Sequence, residues 1–452
     1  MHRALTLIFM VLASVALGQE KVVWTHDAGA TWGFRTLPNG DVFYAADEGG
    51  AVIQVTPGRP SRAPLKWSFA GVGPSPDYAR WQPNGNALIA DTDVNRVIEV
   101  APDGSIVWSY GTGTDACGLN ELFYPSDAVR FSNGTTIIAD QKHSRLLGVS
   151  LDGGVVWQYG TCTATGAGST APFRLDVLPN NDLLVTHNAT HVVERITPQY
   201  PMGATVQWTY GTLNTPGAAP NQLNRPVGAR MLDGGNVLIA DFQNARVIEV
   251  APTGTSGGNI VWQYGVTGTH SSAPGFVRFP TDAERLPNSN TRIAEQVPGD
   301  GRIFEISPWR LHFVLPVPKL TVGACVGPIR LNLVDDQGAV DTLVVADTLV
   351  LSPSAPELTL WSNVACSQSL TTSPLMAGAQ GLDVYAQASA TGAYQIAASA
   401  ARIVGNQVTL APDTEQFDAG GSDAGTMGTG NDETPGLQPL AALILCRRRN
   451  SA

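Results

Sequence analysis

The sequence predicts an all-β chain, a six-bladed β-propeller followed by a smaller C-terminal β-sandwich, and three observations predict it. One segment recurs six times with a period of roughly 40–50 residues, the spacing of propeller blades. Its clearest copies are Asn86–Gly111 and Asn236–Val250 with Ile260–Gly265. Each copy alternates short β-branched runs with Asn-Gly, Asp-Gly or Gly-rich turns, which reads as four strands joined by three hairpins. Composition agrees: 48 Gly and 31 Pro suit many tight turns, and charged residues are only 14% of the 452.

In chain order, Met1–Gly18 has the form of a secretory signal. His2 and Arg3 precede the apolar run Ala4–Leu17, and small residues stand at Ala16 and Gly18 before Gln19. The propeller is expected over residues 19–315. The first three strands of its blades fall near 31–57, 77–101, 125–151, 172–198, 226–251 and 279–307. A Trp-bearing fourth strand follows at Leu65–Ala70, Ile106–Gly111, Val155–Gly160, Val206–Gly211 and Ile260–Gly265. A further copy, Val22–Thr25, precedes the first blade. It is expected to close the ring as the outer strand of the last blade, removing an open sheet edge; Trp309–Leu315 is the alternative. Residues 319–413 change texture to short alternating strands of sandwich size. Residues 414–435 have almost nothing to bury and read as a flexible linker. Residues 436–452 hold the apolar run Leu437–Cys446 and then Arg447–Arg449. Ten residues cannot span a hydrocarbon core that needs about 20, so no transmembrane span is expected after signal removal.

Several stretches resemble known families. Asn221–Pro226, Ile239–Asp241 and Arg246, and next Tyr124–Pro125 with Asp140 and Arg145, resemble NHL-type repeats. The turn Asp103–Trp108 is similar to repeats of arylsulfotransferase-like and quinoprotein-like propellers. Leu360–Cys366 and Ala377–Gly378 look like bacterial Ig-like modules. Linker, apolar run and arginine cluster together resemble a degenerate form of the C-terminal sorting tails of myxobacterial surface proteins. These resemblances imply a propeller, an Ig-like spacer and retention at the envelope; they do not carry a family's chemistry to this chain.

A formal charge of −11, with no basic block before the last residues, argues against nucleic acid as a partner. Of five cysteines, Cys117 and Cys162 lie in the connections after the Trp-bearing strands of consecutive blades, so they occupy neighbouring loops and are expected to pair. Cys325 with Cys366 is the second expected disulfide.

Chemistry is sought where the blades converge. Strand alternation puts every second residue of each inner strand on the channel. Aligned turns make Gly33 and Arg35, Tyr78 and Arg80, Asp127 and Val129, Arg174 and Asp176, Gly228 and Arg230, and Asp282 and Glu284 equivalent pairs. The candidate ligand-binding set is therefore Arg35, Tyr78, Arg80, Asp127, Arg174, Asp176, Arg230, Asp282 and Glu284. These charges either neutralise one another in a solvated channel or grip an anion or sugar through arginine forks. The repeated pairs Asp91/Arg96, Asp140/Arg145 and Asp241/Arg246, with Asp47 and Glu295 at equivalent places, read as folding devices, because a catalytic part is rarely needed many times. Blade four carries His187 in place of the Asp and, allowing one deletion, His191 in place of the Arg. They are weak metal candidates, and repeat degeneration is the favoured reading. The tryptophans Trp67, Trp108, Trp157, Trp208 and Trp262 read as packing residues.

The favoured function is an exported, envelope-associated module binding a glycan, a small anionic ligand or another surface protein. The alternative is a propeller enzyme of the arylsulfotransferase or NHL-lyase kind, with His143, His187 or His270 as catalytic candidates. No histidine falls on a channel-facing position. No cofactor is expected, and a structural metal in the channel stays open.

Overall fold

The computed structural model describes residues 21–410 except 48, 58–65, 163–170, 274, 309, 316, 335–338, 341–346, 377–378 and 401–402. The signal segment 1–18, the linker 414–435 and the tail 436–452 lie outside the described residues. Among the described residues, no helix is long and apolar enough to cross a membrane.

Among the described residues, six four-stranded antiparallel sheets follow one another. Their inner strands are Phe34–Thr36, Tyr78–Trp81, Pro125–Arg130, Pro172–Val177, Pro226–Met231 and Pro280–Arg285. The second strands, such as Ala87–Asp91, Thr136–Asp140 and Val237–Asp241, are buried at every residue. Each is covered on both faces by neighbouring blades, so its sequence is continuously apolar up to the terminal carboxylate rather than alternating. The outer strands instead expose residues such as Ile106, Val155 and Val206. A separate apolar cluster fills each of the six junctions between blades. The last joins Ala294 and Ile303 of blade six to Phe34, Val42 and Tyr44 of blade one, so the ring is closed.

The displaced N-terminal strand makes that closure. Lys21–Asp27 runs antiparallel to Arg302–Ser307, with register from Lys21↔Ser307 to Asp27↔Arg302. The alternative closing strand is ruled out, because Arg310–Phe313 pairs with Val326–Val334 and so belongs to the following sheet. Arg310–Phe313, expected within the propeller segment, thus pairs into the following sheet.

Two repeated devices tie the ring together. Indole N–H groups of Trp67, Trp108, Trp157 and Trp208 donate to the carbonyls of Pro102, Leu151, Gly203 and Gly257, each in the outer turn of the next blade. The motif carboxylates act as clasps. Asp91 accepts Gly73 N–H and Arg96 Nε, Asp140 accepts Phe123 N–H and Arg145 Nε, and Asp241 accepts Asn224 N–H and Arg246 Nε, all at 2.7–2.8 Å. Each pins the chain entering a blade to that blade's hairpin.

Among the described residues, the C-terminal strands form one hydrogen-bonded series of eight around a core that includes Leu331, Leu349, Val384 and Ile396. Cys325 and Cys366 are bonded there, and Cys117 and Cys162 in the propeller, with Cα separations of 5.8 and 6.0 Å. Non-reducing peptide mapping is expected to recover these two cross-links; any exchanged pairing contradicts the structure.

Candidate ligand site in the propeller channel

An innermost strand is a sheet edge, and its channel side carries backbone N–H and C=O groups that the ladder leaves unpaired. The charged side chains of the channel satisfy those groups. Asp127 accepts Leu175 N–H at 2.9 Å, Asp176 accepts Met231 N–H at 3.4 Å, Asp282 accepts Phe34 N–H at 3.2 Å and Glu284 accepts Thr36 N–H at 3.1 Å. Every one of these carboxylates thus serves the inner strand of the next blade. The cations serve the carbonyls. Arg174 donates to Trp32 O, Asp77 O and Ser126 O, Arg80 to Leu175 O, and Arg230 to Phe34 O.

The same groups pair with each other. Arg80 forms a fork on Asp127 at 3.0 and 2.6 Å, and Arg230 a fork on Asp282 at 3.2 and 2.7 Å. The Tyr78 hydroxyl lies 2.9 Å from both Asp282 and Phe34 O and shares its one proton between them. The Arg174 guanidinium lies 4.3 Å from the Tyr78 ring centre and that of Arg80 4.9 Å. Space for this ring exists because blade one carries Gly33 there: a Cβ would meet Tyr78 at 2.3 Å. Burial disfavours both charges of the Arg230–Asp282 pair, yet the guanidinium and the Tyr78 hydroxyl hold Asp282 below the usual carboxylate range. Asp127, Arg174, Arg230, Tyr78 and Asp282 are all buried. The mutual pairing expected of these charges is present, but the solvated setting is corrected: the edge groups of six converging strands need partners, and the side chains that supply them are largely buried.

One pair is held differently. Arg35 and Asp176 meet across the ring through a single contact at 3.2 Å and keep 22% and 16% side-chain exposure. They line a depression of about 540 Å³ at the end where the inner strands finish. Arg80, Arg130, Trp81 and Gln82 line it too. Arg130 is anchored by Glu99 and Thr136 and lies 4.7 Å from the Trp108 ring centre. Arg130 and Trp81 escaped the sequence reading because they lie just beyond the aligned pairs, at the strand ends.

At the opposite mouth the chain assembles a group that the repeat alignment passes over. Asp77 stands where the other blades carry Trp32, Ser126, Phe173, Val227 and Thr281, and a carboxylate at that otherwise apolar or hydroxyl position was the signal available. Burial pushes its pKa up to about 8, opposed by Arg174 and assisted by Asp47, Asp93 and Asp127.

The histidines are engaged elsewhere. His143 is buried between Asp140, 2.8 Å from Nδ1, and the Asp115 carbonyl, 3.0 Å from Nε2, beside the Cys117–Cys162 disulfide. With those sulfurs bonded to one another, the trio offers no thiolate to a metal. His187 Nε2 is 3.1 Å from Glu194, a carboxylate that the sequence reading did not place beside it. His191 is not the arginine substitute: His187 pairs with Val192 as Asp91 pairs with Arg96, without a deletion. His191 instead fills the left-handed turn position of Asn95 and Ala245, and its Nδ1 accepts Arg225 N–H at 3.0 Å. His270 is exposed and stacks on Phe279 at 4.2 Å.

No family model matches the chain, and no curated protein matches it. Among solved structures it is similar to a streptogramin B lyase, at 14% identity over 69% of this chain and 91% of that one, TM-score 0.42. It is also similar to the WD40 propeller domain of Doa1, at 12% identity over 59% and 75%, TM-score 0.40. An auxiliary nutrient binding protein from Bacteroides ovatus is similar at 13% identity over 64% and 75%, TM-score 0.43. The propeller assignment stands on the strand pairing above.

Proposed function

We propose that the chain is an exported propeller that binds a small anionic or acidic-sugar ligand, with the C-terminal domain acting as an Ig-like spacer and the tail as an envelope-retention segment. The observation that carries this reading is the depression of about 540 Å³ bordered by Arg35, Arg80, Arg130 and Asp176 with the Trp81 ring. Polar forks beside an aromatic ring suit a carboxylate- or sulfate-bearing sugar. Arg35 is the residue able to turn toward a ligand, because it gives up one bond at 3.2 Å whereas Arg80 and Arg230 would each give up a fork. The contacts of His143, His187, His191 and His270 favour binding over the sulfuryl-transfer or lyase alternative, since covalent transfer needs its nucleophile inside the arginine pocket.

Calorimetric titration with sulfate, phosphate, glucuronate and galacturonate tests it. At least one is expected to bind, and Arg35→Ala should weaken that ligand by about 1.5–3 kcal/mol for a lost charge-assisted bond while the melting curve stays near that of the parent. Arg35→Lys should restore part of the affinity, because a point charge cannot reproduce a fork. Binding of none of the four, or binding indifferent to Arg35, overturns the reading.

A further inference from the structure

The mouth where the inner strands begin has a different chemistry from the depression at the other end. Phe173, Val227 and Phe242 form a buried cluster with Trp32 and Phe279 packed on it. Trp32 stacks on Phe242 at 5.9 Å and meets Phe173 edge-on at 5.5 Å, and it remains partly exposed. This aromatic wall is joined to carboxylates. One guanidinium nitrogen of Arg174 reaches the backbone carbonyls of both Trp32 and Asp77, at 3.0 and 3.1 Å, and the Asp47 carboxylate lies near the Trp32 indole. Asp77 is only 7% exposed, and its carboxyl group has no hydrogen-bond or ion-pair partner among the described residues. Asp47 and Asp93 lie within electrostatic reach of it. The Asp77 oxygens are not among the fully enclosed unpaired atoms, so they keep a slight contact with solvent at the mouth; ionising a carboxyl in so little water is costly, and an arriving cation relieves that cost.

We propose that this mouth is a second binding site, for an organic cation: an ammonium group paired with Asp77 and the Asp47–Asp93 side, carried on an apolar or aromatic body that lies against Trp32. An organic cation fits better than a metal ion. Among the described residues, the oxygens of Asp47, Asp77 and Asp93 do not converge within 4.8 Å as a metal's ligands would. An ammonium spans a wider set of carboxylates, and the ring faces attract it as well. The site is separate from the proposed anion site and does not rest on it.

The charged groups acting on Asp77 are Arg174, Asp47, Asp93 and Asp127, and its proton is held up to about pH 8. Pairing with a cation requires the ionised form, so binding below about pH 8, where the group is protonated, should release a proton, and apparent affinity should fall about tenfold per pH unit below about 8. Benzyltrimethylammonium is the probe, because its charge does not titrate. Calorimetry with the full chain at pH 9 and pH 6 should show binding at the higher pH and affinity weaker by roughly a hundredfold at the lower. Benzyl alcohol and benzoate should bind neither as tightly nor with that pH dependence. Asp77→Asn is expected to fold, to lose at least about tenfold in affinity at pH 9 and to abolish the proton release that accompanies binding at pH 6. Trp32→Leu should weaken binding at both pH values while leaving the proton release in place. Arg35→Ala should change none of these results. No binding of the probe at millimolar concentration at pH 9, equal binding of benzyl alcohol, an unaltered affinity in Asp77→Asn, or tight Ca²⁺ binding in place of the ammonium each overturns the proposal.

Discussion

A chain lacking residues 21–27 is expected to fail to give a soluble, cooperatively melting monomer. The segment supplies the whole outer strand of blade six, paired from Lys21↔Ser307 to Asp27↔Arg302, and without it Arg302–Ser307 becomes an open edge of unpaired N–H and C=O groups. Its side chains also belong to two junctions: Val22 packs with Tyr264, Phe304 and Ile306, and Trp24 with Phe34, Tyr44 and Ile303. His26 adds a contact at 3.0 Å to the Tyr44 hydroxyl of blade one. Removing the strand therefore opens the seam between the first and last blades while baring an edge that templates association. Gel filtration and thermal melts check this, and a truncated chain with an unchanged melting curve would mean the ring closes some other way. Trp24→Ala is the milder form. It keeps the ladder and removes the half-buried aromatic body, with an expected loss of about 1.5–3 kcal/mol, below that of a fully buried ring.

Much of this architecture could be read in the sequence because the repeat states it six times. Equivalent positions could be aligned without coordinates, and the register confirms them: Ala79↔Ile89, Ala128↔Ile138, Leu175↔Val185, Ala229↔Ile239 and Ala283↔Ile293 are the same pair in successive blades. The disulfide between Cys117 and Cys162 followed from equal placement in adjacent blades. The state of the channel was not legible, because alternation says which side chains face the axis and not how far apart they stand across it. The bore of a propeller depends on how many blades close the ring and how closely their inner strands approach the axis. Only the assembled ring shows Tyr78 of blade two reaching Asp282 of blade six, or Arg35 of blade one reaching Asp176 of blade four. His191 failed for a local reason: counting along the hairpin assumed a deletion, whereas a left-handed residue at the turn keeps the register with Val192. Asp77 was missed because one residue's departure from a repeat stands out only when the position before each aligned pair is compared across all six blades.

Arg230→Ala separates mutual pairing from a ligand grip, and it should cost about 3–5 kcal/mol of folding stability at neutral pH, the loss that follows removal of one partner from a buried ion pair. Arg230 gives Asp282 a fork, gives Phe34 O a bond at 2.6 Å and approaches the Tyr78 hydroxyl at 3.4 Å. Without it, Asp282 keeps its bonds to Tyr78 and to backbone N–H groups but loses the charge that holds its pKa below the ordinary value. The sign of the pH effect follows. A depressed folded-state pKa contributes stability above the unfolded pKa of about 3.9, and that contribution is lost as pH falls through the folded value. In the variant, burial raises the Asp282 pKa instead, so protonation at mildly acidic pH relieves the unpaired charge. The stability gap between parent and variant should therefore be widest near pH 7 and narrow toward pH 4, as urea melts at the two pH values would show. Arg230→Ala combined with Asp282→Asn should recover part of the loss at pH 7, since no buried charge is then left alone. A variant within about 1 kcal/mol of the parent at pH 7, the size of an exposed ion pair, would mean that Arg230 is free to leave Asp282 and that the channel, not its outer mouth, is where a ligand should be sought.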